Sequence, residues 1–212
     1  MLEEGLSTFV RFNEAISILE KVRGLHEHSF SEIVSQRDPF GLNYFEDGHE
    51  KMFKLIRKTP SKDDCKIYSF GWQREGISYT DRKYVSTNKD AMDMYKIFIS
   101  KANGAASSKI PYSVLSQPFV ASPGSICNMT YLLVGPFEQS FVASNANGYI
   151  KTKFFRFLVS LLKNTQNAYK KVYQFVPMQD FSKPWTDAEL YAKYKLTDDE
   201  IAFIESMIKP ME

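Results

Sequence analysis

The chain has 212 residues, 43% of them hydrophobic and 25% charged, a balance that suits a folded domain with its own core and excludes a disordered chain. Its 27 Lys and Arg stand against 25 Asp and Glu, a formal charge of +2, so a uniformly basic nucleic-acid coat is excluded and any cationic surface must come from segregation of charge. Cys65 and Cys127 are its only cysteines, and neither a signal-type amino terminus nor an apolar run of bilayer length is present, so the sequence predicts a reduced, cytoplasmic chain without a membrane partner.

In chain order, residues 7–22 place Phe9, Val10, Phe12, Ile16, Leu19 and Val22 near helical spacing, with Ser7 as N-cap and Gly24 as stop. Ser29-Phe30-Ser31-Glu32 has the capping-box pattern of a short second helix, and Asp38-Pro39-Phe40-Gly41 reads as a turn. From about residue 50 to 135 short strand-like runs follow, at 52–56, 65–70, 95–100, 119–122 and 131–134, separated by Pro, Gly, Asp and Asn clusters. Asn88-Lys89-Asp90 starts a turn or two of helix before the third of them, and 101–109, small and aperiodic, reads as a loop. From Ser140 onward the pattern is helical, with capping boxes at Thr186–Glu189 and Thr197–Glu200 and Pro210 closing the last helix. The fold class expected is α+β: a helical lead-in over 1–36, a β-rich middle over 37–137 and a helical tail over 138–212, together one unit.

Most enzymatic signatures are missing. No two of the nine prolines are adjacent, which removes the Asn/Asp-Pro-Pro-aromatic tetrapeptide that holds a flipped adenine in amino-methyltransferases. No G-x-G-x-x-G, P-loop or G-x-S-x-G elbow occurs. His26 and His28 lack further ligands nearby, and Cys127 has no partner base and reads as a buried thiol. Asp64-Cys65-Lys66 matches only the acid-x-Lys half of a Mg²⁺ nuclease. Neither a catalytic residue nor a metal site is assigned.

Cations and amides offer more. Residues 147–164, wound as one helix, fill an apolar arc of roughly 200° and leave Thr152, Lys153, Arg156, Ser160, Lys163 and Asn164 on a polar stripe with three cations and no acid, which Lys170 and Lys171 prolong. Such a stripe is either a solvated face or an edge that contacts phosphates. In the loops, Arg37, Gln73, Arg74, Arg82, Lys83, Lys101, Asn103 and Lys109 have side chains that match base edges and phosphates but are also ordinary surface residues. The aromatic fraction of 15% serves a core and base stacking equally.

Four stretches and the tail carry a resemblance: Phe12–Val22, Ile33-Val-Ser-Gln-Arg-Asp-Pro-Phe-Gly41, Tyr95-Lys-Ile-Phe-Ile-Ser-Lys101, Gly148-Tyr-Ile-Lys-Thr-Lys-Phe-Phe-Arg-Phe-Leu158, and the tail from Val176 through Trp185-Thr-Asp187 to Ile208. In order and spacing these resemble the C-terminal target-recognition region of Eco57I-like restriction–modification adenine methyltransferases of bacteria. Residues 46–69 match no part of that pattern. The resemblance implies a module that reads double-stranded DNA, with no cofactor of its own. A separate catalytic domain, the implied partner, would bind S-adenosylmethionine and methylate the base. Two alternatives stay open on the residues alone: a scaffold domain of a restriction–modification complex, and a small Mg²⁺-dependent nuclease built on Asp64 and Lys66.

Overall fold

The computed structural model describes residues 14–42, 56–102, 110–163 and 165–211. Helix α1 (Glu14–Arg23) buries Ala15, Ile18, Leu19 and Val22, the i, i+3, i+4, i+7 stripe of a helix with one packed face. The Ser29 box closes on a single 3₁₀ turn (Phe30–Ile33), not a longer helix: Ser29 accepts from the turn, and Glu32 reaches back to the Ser29 N–H. The expected N-cap Ser7 and all but Ile56 of the strand expected at 52–56 lie outside the described residues.

Among the described residues, six strands form two three-stranded sheets. In the first, β1 (Asp64–Tyr68) is flanked by antiparallel β2 (Ser78–Asp81) and parallel β5 (Ser125–Cys127). In the second, β3 (Tyr95–Ser100) is central between β4 (Phe119–Ala121) and β6 (Tyr131–Phe137), antiparallel to both. Short helices α2 (Trp72–Glu75) and α3 (Lys89–Met92) punctuate the first half. The period-2 pleat explains why β3 and β6 are buried on both faces. Ile97, Ile99, Leu132 and Val134 join the helical core, while Phe98, Tyr131 and Leu133 join the core of the first sheet. The second sheet is therefore a middle layer.

The helical tail covers its other face. The single helix expected over 147–164 is two: α4 (Ser140–Lys151) and α5 (Lys153–Leu162), broken at Thr152. Thr152 takes an extended conformation, φ −62° and ψ 152°, and ends one helix while capping the next. Its Oγ1 accepts from the Phe155 N–H at 3.1 Å, and the Asp187 carboxylate accepts from Lys153 N–H at 3.0 Å and Phe154 N–H at 2.8 Å. Two acceptors thus satisfy the first three donors of α5, which the break would otherwise leave open. The stretch after α5 is irregular apart from the 3₁₀ turn Lys170–Tyr173, so the tail is less helical than its apolar spacing suggests. Helices α6 (Asp187–Lys193) and α7 (Asp198–Met207) begin at the two capping boxes, both of which form.

Glu200 locks α7 to α1. It is 9% exposed and accepts from Lys21 Nζ at 2.6 Å, Ser17 Oγ at 2.8 Å and the Thr197 N–H at 2.7 Å. Burial alone would raise its pKa, but the bonds from Lys21, Thr197 and Ser17 outweigh it and hold the carboxyl below its ordinary value of 4.5. A depressed carboxylate stabilises the fold above its unfolded pKa, and that contribution is lost as pH falls through the folded one. Glu200→Gln is expected to lower unfolding stability by about 1–3 kcal/mol at pH 7. In urea titrations the gap from wild type should close as the pH is lowered below 4.5; a gap that persists in acid would show that the carboxylate charge is not what holds α1.

Candidate nucleic-acid interface

The segment after the first 3₁₀ turn becomes an added edge of the second sheet. Val34 bridges Val134, the Ser35 N–H donates to Leu133 O at 2.8 Å, and the Leu133 N–H donates to Ser35 Oγ at 2.9 Å. Running antiparallel to β6, this edge carries the chain toward the Tyr131 end and delivers Arg37 there. A pinned turn follows. Asp38 sits at φ +54°, a left-handed value that Asp tolerates, and its carboxylate accepts from the Leu42 N–H at 3.2 Å. The Pro39 carbonyl accepts from Thr87 Oγ1 at 2.9 Å and Asn88 Nδ2 at 2.5 Å, and Phe40 is fully buried. Gly41 is required at φ +59°, where a Cβ would collide with the Ser86 hydroxyl.

Lys101 arrives at the same end of β6 from the opposite flank. It follows β3, its N–H donates to Thr130 O at 3.0 Å, and its carbonyl accepts from the Ala168 N–H at 2.8 Å. Burial and the neighbouring Arg37 guanidinium together hold its ammonium below the usual lysine pKa. The two cations thus stand close enough to repel each other. Arg37 also lines a cleft of about 410 Å³ with Gln36, Thr87, Asn88 and Lys170. Glu32 and Asp38 border the same cleft, so it holds acids as well as the cations Arg37 and Lys170.

A second cleft, about 380 Å³, lies on the other side of the β3 end. Ser100 and Ala102 form part of it, together with Gln73 and Arg74 from α2 and Gln117 from the approach to β4. Arg37 and Lys170 thus line the first cleft and Gln73, Arg74 and Gln117 the second, while Lys101 lies in the chain between Ser100 and Ala102 of the second and is felt electrostatically by Arg37 of the first. Gln117 has no sequence signal, and Lys170 is visible only as an extension of a cationic run.

The other candidates are elsewhere. Arg82 is ion-paired with Asp93, and Lys83 with Asp81 at 2.7 Å. Both sit past the Asp81 end of β2, whereas α2 adjoins its Ser78 end. Lys153 is paired with Glu205, and burial holds the Lys163 ammonium below the usual lysine value. Arg156, expected on the outer stripe, is 2% exposed: its Nε donates to the carbonyls of Lys151 at 3.1 Å and Thr152 at 3.2 Å, and Nη1 donates to Lys209 O at 2.6 Å. The stripe from Lys153 to Ser160 stays on one helix, α5, and Arg156 is buried because the C-terminal segment packs over it and offers the Lys209 carbonyl. Asn103 and Lys109 lie outside the described residues.

Asp64, the nuclease candidate, accepts from the Ser61 N–H at 2.8 Å and pairs with Arg57. Among the described residues no three His, Cys, Asp or Glu side chains group as metal ligands, and no helix is long and apolar enough to cross a membrane. Cys65 and Cys127 are buried, and burial pushes the Cys65 thiol up to about 11 and that of Cys127 well above its ordinary value, so neither is a ready nucleophile. No protein-family model, no curated protein and no solved structure matches the chain.

Proposed function

We propose that this chain is the sequence-specific DNA-recognition module of a restriction–modification adenine methyltransferase. It acts in the cytoplasm, with the S-adenosylmethionine chemistry supplied by a partner catalytic domain. The observation that carries this reading is the juxtaposition of Arg37 and Lys101 at the Tyr131 end of β6, with Lys170 on the adjoining cleft wall. Phosphate contacts of this kind orient a duplex without reading it, while Gln73 and Arg74 in the second cleft have the groups that distinguish base edges. The ordered sequence stretches that resemble a target-recognition region support the same assignment, and two of them contain Arg37 and Lys101 themselves.

The test is fluorescence-anisotropy titration of a random-sequence duplex pool at several salt concentrations. Affinity should fall steeply as salt rises. Arg37→Ala with Lys101→Ala should lessen the slope of log K against log salt by about 2, since each phosphate contact contributes roughly 0.9. Lys83→Ala, whose cation is held by Asp81 at the other end of β2, should leave the slope unchanged. Absence of salt-dependent binding would overturn the proposal in favour of a scaffold role.

A further inference from the structure

Strand β1 ends at Tyr68, two residues earlier than its apolar run suggests, because the chain turns at Gly71 in the left-handed region, φ +85°. Trp72 folds back inside, its ring 5.0 Å from both Tyr68 and Phe119. Phe70 is left outside, 69% exposed, the most exposed of the large hydrophobic side chains among the described residues. A single exposed aromatic is ordinary on a protein surface. What sets Phe70 apart is the cleft it borders. Phe119 and Tyr131, their rings 5.7 Å apart, contribute aromatic surface to it. Gln73, Arg74 and Gln117 bring amide and guanidinium groups, and no carboxylate is among its described lining residues. Its volume of about 380 Å³ falls within the range of roughly 300–1,000 Å³ typical of small-ligand sites. Its lining residues Ser100 and Ala102 flank Lys101 in the chain.

We infer that this cleft receives one purine of bound duplex DNA, with Phe70 as the plate on which the base stacks and Gln73, Arg74 and Gln117 facing its hydrogen-bonding edge. The inference rests on the DNA-recognition reading and adds to it a base-holding residue. An apolar side chain presented beside cations can enter a base step and hold the unstacked base, and the amide and guanidinium groups then discriminate what is held.

The experiment uses the full chain and the duplex sequence that it enriches from the random pool, carrying 2-aminopurine at each purine in turn. Wild type should raise the fluorescence at one position, reporting loss of base stacking there. Phe70→Ala should abolish that rise and weaken binding to the enriched duplex about tenfold, with the salt slope unchanged because no cation is removed. Phe70→Tyr should restore both. The exposure of Phe70 makes these variants safe for folding, and circular dichroism checks it. If Phe70→Ala binds the enriched duplex as tightly as wild type, with the same fluorescence, the base-site inference falls and the recognition reading stands. If wild type does not bind the random pool even at low salt, both fall.

Discussion

Arg156→Ala is expected to destabilise the fold by about 3–4 kcal/mol, because it removes a buried guanidinium and takes its bonds from the Lys151 and Lys209 carbonyls, while the Thr152 carbonyl keeps the Arg156 N–H. The side chain reaches the last carbonyl of α4 at Lys151, the junction carbonyl at Thr152 and the Lys209 carbonyl of the C-terminal segment. That segment is itself tied to the β4 approach: Tyr112 N–H donates to Met207 O at 2.7 Å, and Lys209 N–H donates to Tyr112 O at 3.0 Å. One guanidinium therefore holds three parts of the chain together. Burial lowers its pKa, opposed by the nearby Asp187 charge, and it stays protonated at any ordinary pH. Arg156→Lys should recover only part of the loss, since an ammonium lacks the planar fork that reaches two directions at once. Urea unfolding gives the free energy, and for a chain of this size the melting temperature should fall by roughly 10 °C. The same variant, where folded, should show an unaltered salt slope for DNA. A variant of wild-type stability with a reduced slope would restore Arg156 to the phosphate edge.

Local chemistry was legible in the sequence where a residue acts on its neighbours. The boxes at Ser29, Thr186 and Thr197 specify helix starts through bonds spanning three residues, and all three form. The strands at 95–100 and 131–134 were visible because apolar runs mark strands buried on both faces, and the second runs on to Phe137 through Gly135 and Pro136, which read as its end. By contrast, β2 (Ser-Tyr-Thr-Asp) and β5 (Ser-Ile-Cys) are short and half polar, and only their pairing with β1 makes them strands. Burial of Arg156 was illegible because its acceptors include Lys209, 53 residues away. The candidate edge had the same limitation. Arg37 and Lys101 are separate loop cations in the sequence, and what brings them together is the β6 strand lying between their segments. Phe70 read as the end of a strand, and only the left-handed turn at Gly71 puts it outside.

Lys96 carries the clearest expectation for pH. Its ammonium lies wholly inside, between the second sheet and α3, and donates to the carbonyls of Ala91 at 3.1 Å, Met92 at 2.8 Å and Met94 at 2.8 Å. These carbonyls lie at the end of a short helix, where Met92 O also accepts from the Gly124 N–H at 2.9 Å and Ala91 O from the Met94 N–H at 3.4 Å. Burial pulls its pKa down to about 8 from 10.5, with Asp93 opposing the shift. Between those values the unfolded chain binds the proton and the folded one does not, so this group makes stability rise with pH. The gain should be roughly 2–3 kcal/mol between pH 7 and pH 10, at 1.36 kcal/mol per pKa unit. Cys65, pushed up to about 11, has the opposite sign and loses stability as pH rises from its ordinary 9.0. Wild type alone would therefore show a blurred sum. Lys96→Met removes one contributor and leaves the thiols in place, so the difference between the two proteins reports Lys96 together with its coupling to Cys127 and Cys65. Urea unfolding at pH 7, 8.5 and 10 should show Lys96→Met losing ground to wild type at each step. A constant difference would mean that Lys96 titrates alike in both states and that its ammonium is as well solvated inside as out. The outcome bears on the candidate interface, because α3 starts from Asn88, whose amide holds the Pro39 carbonyl and with it the turn that follows Arg37. Loosening the carbonyl end of α3 should therefore weaken duplex binding only so far as it frees that turn, and leave the salt slope, set by Arg37 and Lys101 themselves, as it was.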